Sequence, residues 1–198
     1  FESEDLKKSV FAELESIVLP DALLGSNTST LPITRLQQGV ERTKDFIGIH
    51  FFSPVDKMQL VEIIAGTDTG DEAIAHALDY VQQIRKIPIV VNDSRGFFTS
   101  RVIGKFINEG IRMLAEGVRP VALERATVMA GFPTGVLQLS DELNLELMKK
   151  IALATKEAIE AEGGTYVAEP ADEVVLWMLE QGRGGKLAGA GFYDYDAS

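Results

Sequence analysis

Ile87-Pro88-Ile89-Val90-Val91-Asn92-Asp93-Ser94-Arg95-Gly96 decides the architecture of this chain. Ile87 to Val91 is a short, β-branched apolar run, which reads as a strand, and Asn92 to Gly96 is its closing loop. Working back from it, apolar runs alternate with helical patterns. Gln59 to Ala65 (QLVEIIA) and Asp45 to Phe52 (DFIGIHFF) read as strands, and Ala22 to Gly25 as a shorter one. Between Ala65 and Ile87, Ile74, Leu78, Val81 and Ile84 recur at helical spacing. Thr69-Gly70-Asp71-Glu72 ahead of them has the spacing of a capping box. Pro32 suits the first turn of a short helix, with Ser29 or Thr30 near its cap. Leu6, Val10, Phe11, Leu14 and Ile17 form an amphipathic stripe at the start of the chain.

Forward of Gly96 only helices follow. The pattern predicts them over 98–116, 121–130, 141–161 and 170–181, and then a glycine-rich, aromatic tail. An α/β domain over 1–92 therefore gives way to an all-α domain over 93–198. The chain opens on Phe1, without an initiator Met and directly before a helical pattern, and reads as a fragment whose upstream part is missing.

Composition narrows the chemistry. Zero cysteines exclude disulfides, thiolate catalysis and Cys-based metal sites, and two histidines, His50 and His76, are too few for a His-rich zinc site. A net charge of −11 disfavours nonspecific nucleic-acid binding. No apolar run approaches the roughly 20 residues of a membrane span. The expectation is a cytoplasmic protein.

His50 ends an apolar strand, and in parallel sheets ligands gather beyond strand carboxyl ends. Glu62 sits inside Leu60-Val61-Glu62-Ile63-Ile64, where a buried carboxylate needs a donor or cationic partner. If the two strands are neighbours, the carboxylate orients the imidazole and stabilises its protonated form. Ser29, in a polar loop after a strand, completes a Ser/His/Glu set. A serine hydrolase would need G-x-S-x-G around the nucleophile, and Asn27-Thr28-Ser29-Thr30-Leu31 has no glycine on either side. Alcohol dehydrogenation fits better. There His50 is the base, Glu62 holds it, Ser29 bonds the substrate oxygen, and a bound cofactor takes the hydride. His76 reads as solvated surface. No G-x-G-x-x-G occurs in the sequence.

Three segments together resemble the L-3-hydroxyacyl-CoA dehydrogenase family: Ser26-Asn27-Thr28-Ser29-Thr30-Leu31-Pro32, Gly48-Ile49-His50-Phe51-Phe52-Ser53-Pro54-Val55, and Leu60-Val61-Glu62-Ile63-Ile64. Ile89 to Phe98 and Gly189-Ala190-Gly191-Phe192-Tyr193 resemble it too, so the likeness runs the length of the chain. The variants Ser-Pro-Val-Asp-Lys-Met and Phe-Phe-Thr-Ser-Arg look most like the dehydrogenase region of bacterial multifunctional fatty-acid oxidation enzymes. The resemblance implies the C-terminal portion of a Rossmann-type NAD domain, then a helical domain for substrate binding and subunit contacts. It implies oxidation of (3S)-3-hydroxyacyl-CoA to 3-oxoacyl-CoA with NAD, in β-oxidation, by a homo-oligomer or a multifunctional complex. By motif position, His50 looks like the catalytic base, Glu62 its carboxylate, and Ser29 the hydroxyl on the reacting oxygen. Asn27, Glu2 and Lys7 match cofactor-side positions. Lys186 falls near a C-terminal cofactor-side lysine, one residue off its register. Ser53 and Ser100 stand on the substrate side where single-function members carry Asn. A different class of reading stays open: a non-catalytic helical interaction module in which the His/Glu pair is vestigial.

Overall fold

A computed structural model describes residues 3–161 and 163–196. They form two compact units, Phe1–Val102 and Ile103–Ser198.

The first unit is a four-stranded sheet with helices on both faces. In chain order it contains α1 (Glu4–Ile17), β1 (Leu24–Ser26), α2 (Ile33–Leu36), β2 (Phe46–Phe51), β3 (Leu60–Ala65), α3 (Asp71–Gln83) and β4 (Ile87–Asn92). The strands lie in sequence order. β1 and β2 are parallel, as are β3 and β4, but β2 and β3 are antiparallel. The sheet is therefore mixed, where the reading of His50 presumed parallel strands. The cause is the link 52–59, which is shorter than the dozen or so residues a parallel crossover needs.

Alternation along β2 and β3 sorts their side chains between two cores. Ile47, Ile49, Val61 and Ile63 pack with Ala77 and Val81 of α3. Phe46 and Ile64 pack on the other face with Phe11, Ile33, Leu36 and Phe97. His50 and Glu62 share the face of Phe46 and Ile64 by the same period of two. Gly48 lies on that face as well. A Cβ there would stand 2.8 Å from Ile33 and 2.9 Å from Ile64, so only glycine lets the segment carrying Ile33 settle onto the sheet.

Several local expectations change. Helix α1 starts at Glu4 behind an N-cap Ser3, but of its apolar stripe only Phe11 is buried; Leu6, Val10, Leu14 and Ile17 are exposed. Thr69 does not cap α3, whose N-cap is Gly70. Its hydroxyl instead donates to the Phe46 carbonyl and accepts from the Gly66 amide, a stronger claim on it than the helix end makes. Neither Ser29 nor Thr30 caps α2. The Asp93 carboxylate, sixty residues downstream, accepts from the Ile33 and Thr34 amides at 2.9 and 2.8 Å.

The second unit contains α5 (Pro120–Met129), α6 (Val136–Leu143), α7 (Leu145–Ala161) and α8 (Pro170–Glu180). A further helix, α4 (Thr99–Ala115), begins in the first unit and contributes Ile107 and Ile111 to the helical core. They pack there with Leu123, Val136, Leu137, Leu145, Ala171, Val175 and Met178. The single helix expected over 141–161 is two. Asn144 breaks it at φ 76°, and its side chain caps the second helix by accepting from the Glu146 amide at 2.9 Å. Asn tolerates that left-handed geometry better than most residues. The tail is tied down by Asp141, a fully buried carboxylate that accepts from the Phe192 and Tyr193 amides and the Tyr195 hydroxyl. A Cβ on Gly191 would lie 1.9 Å from that carboxylate, which explains the glycine.

Candidate active site

β2 and β3 pair so that His50 lies directly opposite Glu62. Cross-strand neighbours on one face meet, and here His50 Nδ1 and Glu62 Oε2 are 2.8 Å apart. Glu62 is wholly buried and His50 is 7% exposed, so water contributes little to either. Burial alone would raise the Glu62 pKa. The His50 ring and the donors at the start of α4 outweigh it, and the carboxyl is held below its ordinary value.

Those donors are three. The Phe98 and Thr99 amides donate to Oε1 at 3.1 and 2.8 Å, and the Thr99 hydroxyl donates to Oε2 at 2.8 Å. The Phe98 amide just precedes α4 and the Thr99 amide opens it, and the helix dipole favours an anion at that end. Glu62 is thus an ionised carboxylate with four donors, and the one from His50 must come from Nδ1–H. In the neutral ring Nε2 is then left as a lone pair, the form a general base requires. The ring is walled by Phe52 and Phe97, with centroids 4.5 and 5.9 Å away.

The loop after β1 is fixed beside this pair. Asn27 Oδ1 accepts from the Phe51 amide at 2.9 Å, one residue beyond His50. The Thr28 hydroxyl, fully buried, accepts from the Leu31 amide at 3.0 Å. Ser29 follows Thr28 directly and is half-buried. Ser26, at the carboxyl end of β1, holds a buried hydroxyl with no hydrogen-bond partner among the described residues.

The other expected site residues are more dispersed. Ser53 is exposed in the link after β2; Ser100 is half-buried in the first turn of α4. Lys7 is half-buried on α1. Glu2 lies outside the described residues. Lys186 belongs to the helical unit, where its ammonium is 3.5 Å from Glu142 and 5.9 Å from the Tyr195 ring centre. Of the large apolar residues that follow, Phe97, Val136 and Leu137 are core, Phe106 stacks on Phe132, and Phe98 is exposed. Thr99 and Asp93 were not singled out by sequence. A threonine at the start of a helix and an aspartate in an Asn-Asp-Ser loop are both residues that serve backbone amides, and that was their only signal.

Two family models divide the chain between them: the 3-hydroxyacyl-CoA dehydrogenase NAD-binding domain over residues 1–94, and the C-terminal domain of the same enzymes over 96–195. The chain belongs to the 3-hydroxyacyl-CoA dehydrogenase family. Solved structures agree. (S)-3-hydroxybutyryl-CoA dehydrogenase PaaH1 from Ralstonia eutropha is 33% identical with a TM-score of 0.85, over 100% of this chain and 69% of its own. FadB2 of M. tuberculosis is 32% identical with a TM-score of 0.83, over 99% and 68%. The 3-hydroxybutyryl-CoA dehydrogenase of Escherichia coli K12 is 29% identical with a TM-score of 0.88, over 100% of this chain but 42% of its own. This dehydrogenase chain thus has the Rossmann-type unit and the helical unit of an NAD-dependent oxidoreductase. Among its described residues no helix is long and apolar enough to cross a membrane.

Proposed function

We propose that this chain carries the proton-transfer site for NAD-dependent oxidation of a (3S)-3-hydroxyacyl-CoA to the 3-oxoacyl-CoA. The observation that carries the reading is the buried contact between His50 Nδ1 and Glu62 Oε2 at 2.8 Å. It sets the Nε2 lone pair of His50 free to take the 3-hydroxyl proton, and the anionic Glu62 then stabilises the imidazolium. NAD, when bound, supplies the hydride acceptor for the hydrogen on the same carbon. Ser29 is assigned the hydrogen bond to the reacting oxygen. Asn27 is assigned the nicotinamide side, next to the end of β1, where the Ser26 hydroxyl, without a partner among the described residues, also has capacity for a polar ligand. Lys7 of α1 and Glu2 are assigned to the cofactor, and Ser53 and Ser100 to the CoA arm. With hydroxyls in place of carboxamides, those two offer one donor each where Asn offers two.

The finer placement is β-oxidation of fatty acids in the cytoplasm, with this chain as the dehydrogenase region of a longer, multifunctional protein. Its support is the Ser53-Pro54-Val55-Asp56-Lys57-Met58 and Phe97-Phe98-Thr99-Ser100-Arg101 variants, together with an E. coli relative more than twice its length. The helical unit is assigned subunit contacts. An interaction module with a vestigial pair would have no use for a carboxylate that keeps four donors and no solvent. The test is His50→Ala in the full-length protein. Oxidation of 3-hydroxyacyl-CoA, followed by NADH absorbance, should fall by about 10²-fold or more; unchanged turnover would refute the assignment.

A further inference from the structure

We infer that Thr99 is the positioning residue that aims Glu62 at His50 and thereby selects the reactive tautomer of the ring. The inference rests on the dehydrogenase reading above. Glu62 Oε2 receives two donors at the same distance, His50 Nδ1 and the Thr99 hydroxyl, each at 2.8 Å. Oε1 is taken up by the Phe98 and Thr99 amides at 3.1 and 2.8 Å. The two amides anchor one oxygen but leave the carboxyl plane a torsion to turn about. The hydroxyl closes that freedom. It occupies one acceptor direction of Oε2, and the remaining direction faces His50 Nδ1. A threonine in a helix ordinarily turns its hydroxyl back to a carbonyl three or four residues earlier. Thr99 has its hydroxyl on β3 instead, so α4 is registered against the strand by the group that orients the base.

The proton inventory gives this contact its consequence. A carboxylate holding an O–H donor on Oε2 has no proton of its own there and accepts from the ring, which places the ring's hydrogen on Nδ1. The groups that act on Glu62 are His50 from β2, Thr99 from α4 and Phe98 immediately before it, while Ile89 is its neighbour on β4. No other titratable side chain on those elements bonds to it among the described residues. Removing the hydroxyl therefore changes one donor in a closed set of four.

Thr99→Val keeps the branched shape and deletes only that donor; Thr99→Ser keeps the donor and deletes the methyl. In the 198-residue chain, ¹³C NMR follows the Glu62 carboxyl and ¹⁵N NMR the His50 ring, assigned by comparison with His76→Gln since the sequence has two histidines. With valine, the Glu62 midpoint should rise by about 1 pH unit, the scale of one lost charge-assisted bond, and neutral His50 should become a mixture of tautomers. Serine should restore both. In the full-length enzyme, valine should lower kcat about tenfold with KM little changed, a loss of alignment and not of binding. A wild-type midpoint and tautomer in Thr99→Val would overturn the inference. Glu62→Gln separates the two levels. If it leaves the His50 tautomer unaltered, the His/Glu reading itself falls; if it alters the tautomer while Thr99→Val does not, only the role of Thr99 falls. Should the valine protein fail to fold, Thr99→Ala deletes the same donor with less bulk and carries the same outcomes.

Discussion

Glu62→Gln separates the chemical role of the carboxylate from its structural one. The amide has the same shape, and its oxygen can keep the Phe98 and Thr99 amides. Its NH₂ then faces the Thr99 hydroxyl and His50, now as a donor. Both partners can adapt, the hydroxyl by rotating to accept and the ring by moving its hydrogen from Nδ1 to Nε2. Each heavy atom keeps a partner, and only the hydrogen of the Thr99 hydroxyl loses its acceptor. The cost is the charge-assisted strength of two bonds of 2.8 Å, partly offset because a charge is no longer buried. We expect a stability loss of about 1–2 kcal/mol. Glu62→Ala instead strands three protein donors and the ring in a fully buried site, and should cost about 3–5 kcal/mol. Turnover should respond in a different proportion. With the hydrogen on Nε2 the ring presents no lone pair to the substrate, so Glu62→Gln should lose about 10²–10⁴ in kcat in the full-length enzyme. Urea unfolding of the chain and steady-state NADH production measure the two effects. A glutamine variant that unfolds as readily as the alanine one, or that turns over within about threefold of wild type, would refute the tautomer reasoning.

The remaining expectations are simpler. Because the folded Glu62 titrates below its ordinary value, its contribution to stability is fully present above the 4.5 of a free glutamate and is lost as pH falls below that, through the lower folded value. Unfolding free energy measured from pH 7 down to 3 should therefore drop less in Glu62→Gln than in wild type; parallel curves would contradict it. Gly191→Ala forces a methyl to within 1.9 Å of the Asp141 carboxylate and should destabilise the helical unit by about 2 kcal/mol or more in urea. Asp141→Ala, which takes the shared acceptor from two part-buried amides and the Tyr195 hydroxyl, should cost about 2–3 kcal/mol in the same assay. Since the sequence contains no G-x-G-x-x-G to meet a pyrophosphate, the 198-residue chain alone should bind NAD weakly and oxidise no 3-hydroxyacyl-CoA. Micromolar binding by calorimetry would show that the nicotinamide end suffices.

Sequence by itself determined the alternation of strand and helix up to Asn92 and the helices after Gly96, because apolar periodicity is a local signal that the core rewards. It also determined that Glu62, inside an apolar strand, had to have a partner, since an unpaired buried charge is too costly. It did not determine which neighbours would supply the donors. The antiparallel turn-back of β3 brings Glu62 opposite His50, and the arrival of α4 over that face adds Thr99 and the Phe98 amide from 37 and 36 residues away. Propensity could not place the break at Asn144 either. Leu143, Leu147 and Ile151 continue one helical stripe through it, but Asp141 is drawn to the tail and Leu145 donates to the Gly184 carbonyl. Nor could periodicity show that the stripe on α1 would bury Phe11 alone among its apolar residues. In each case the deciding partner is distant along the chain, and a hydrogen bond or contact that exists only once the chain has folded leaves no mark in local spacing.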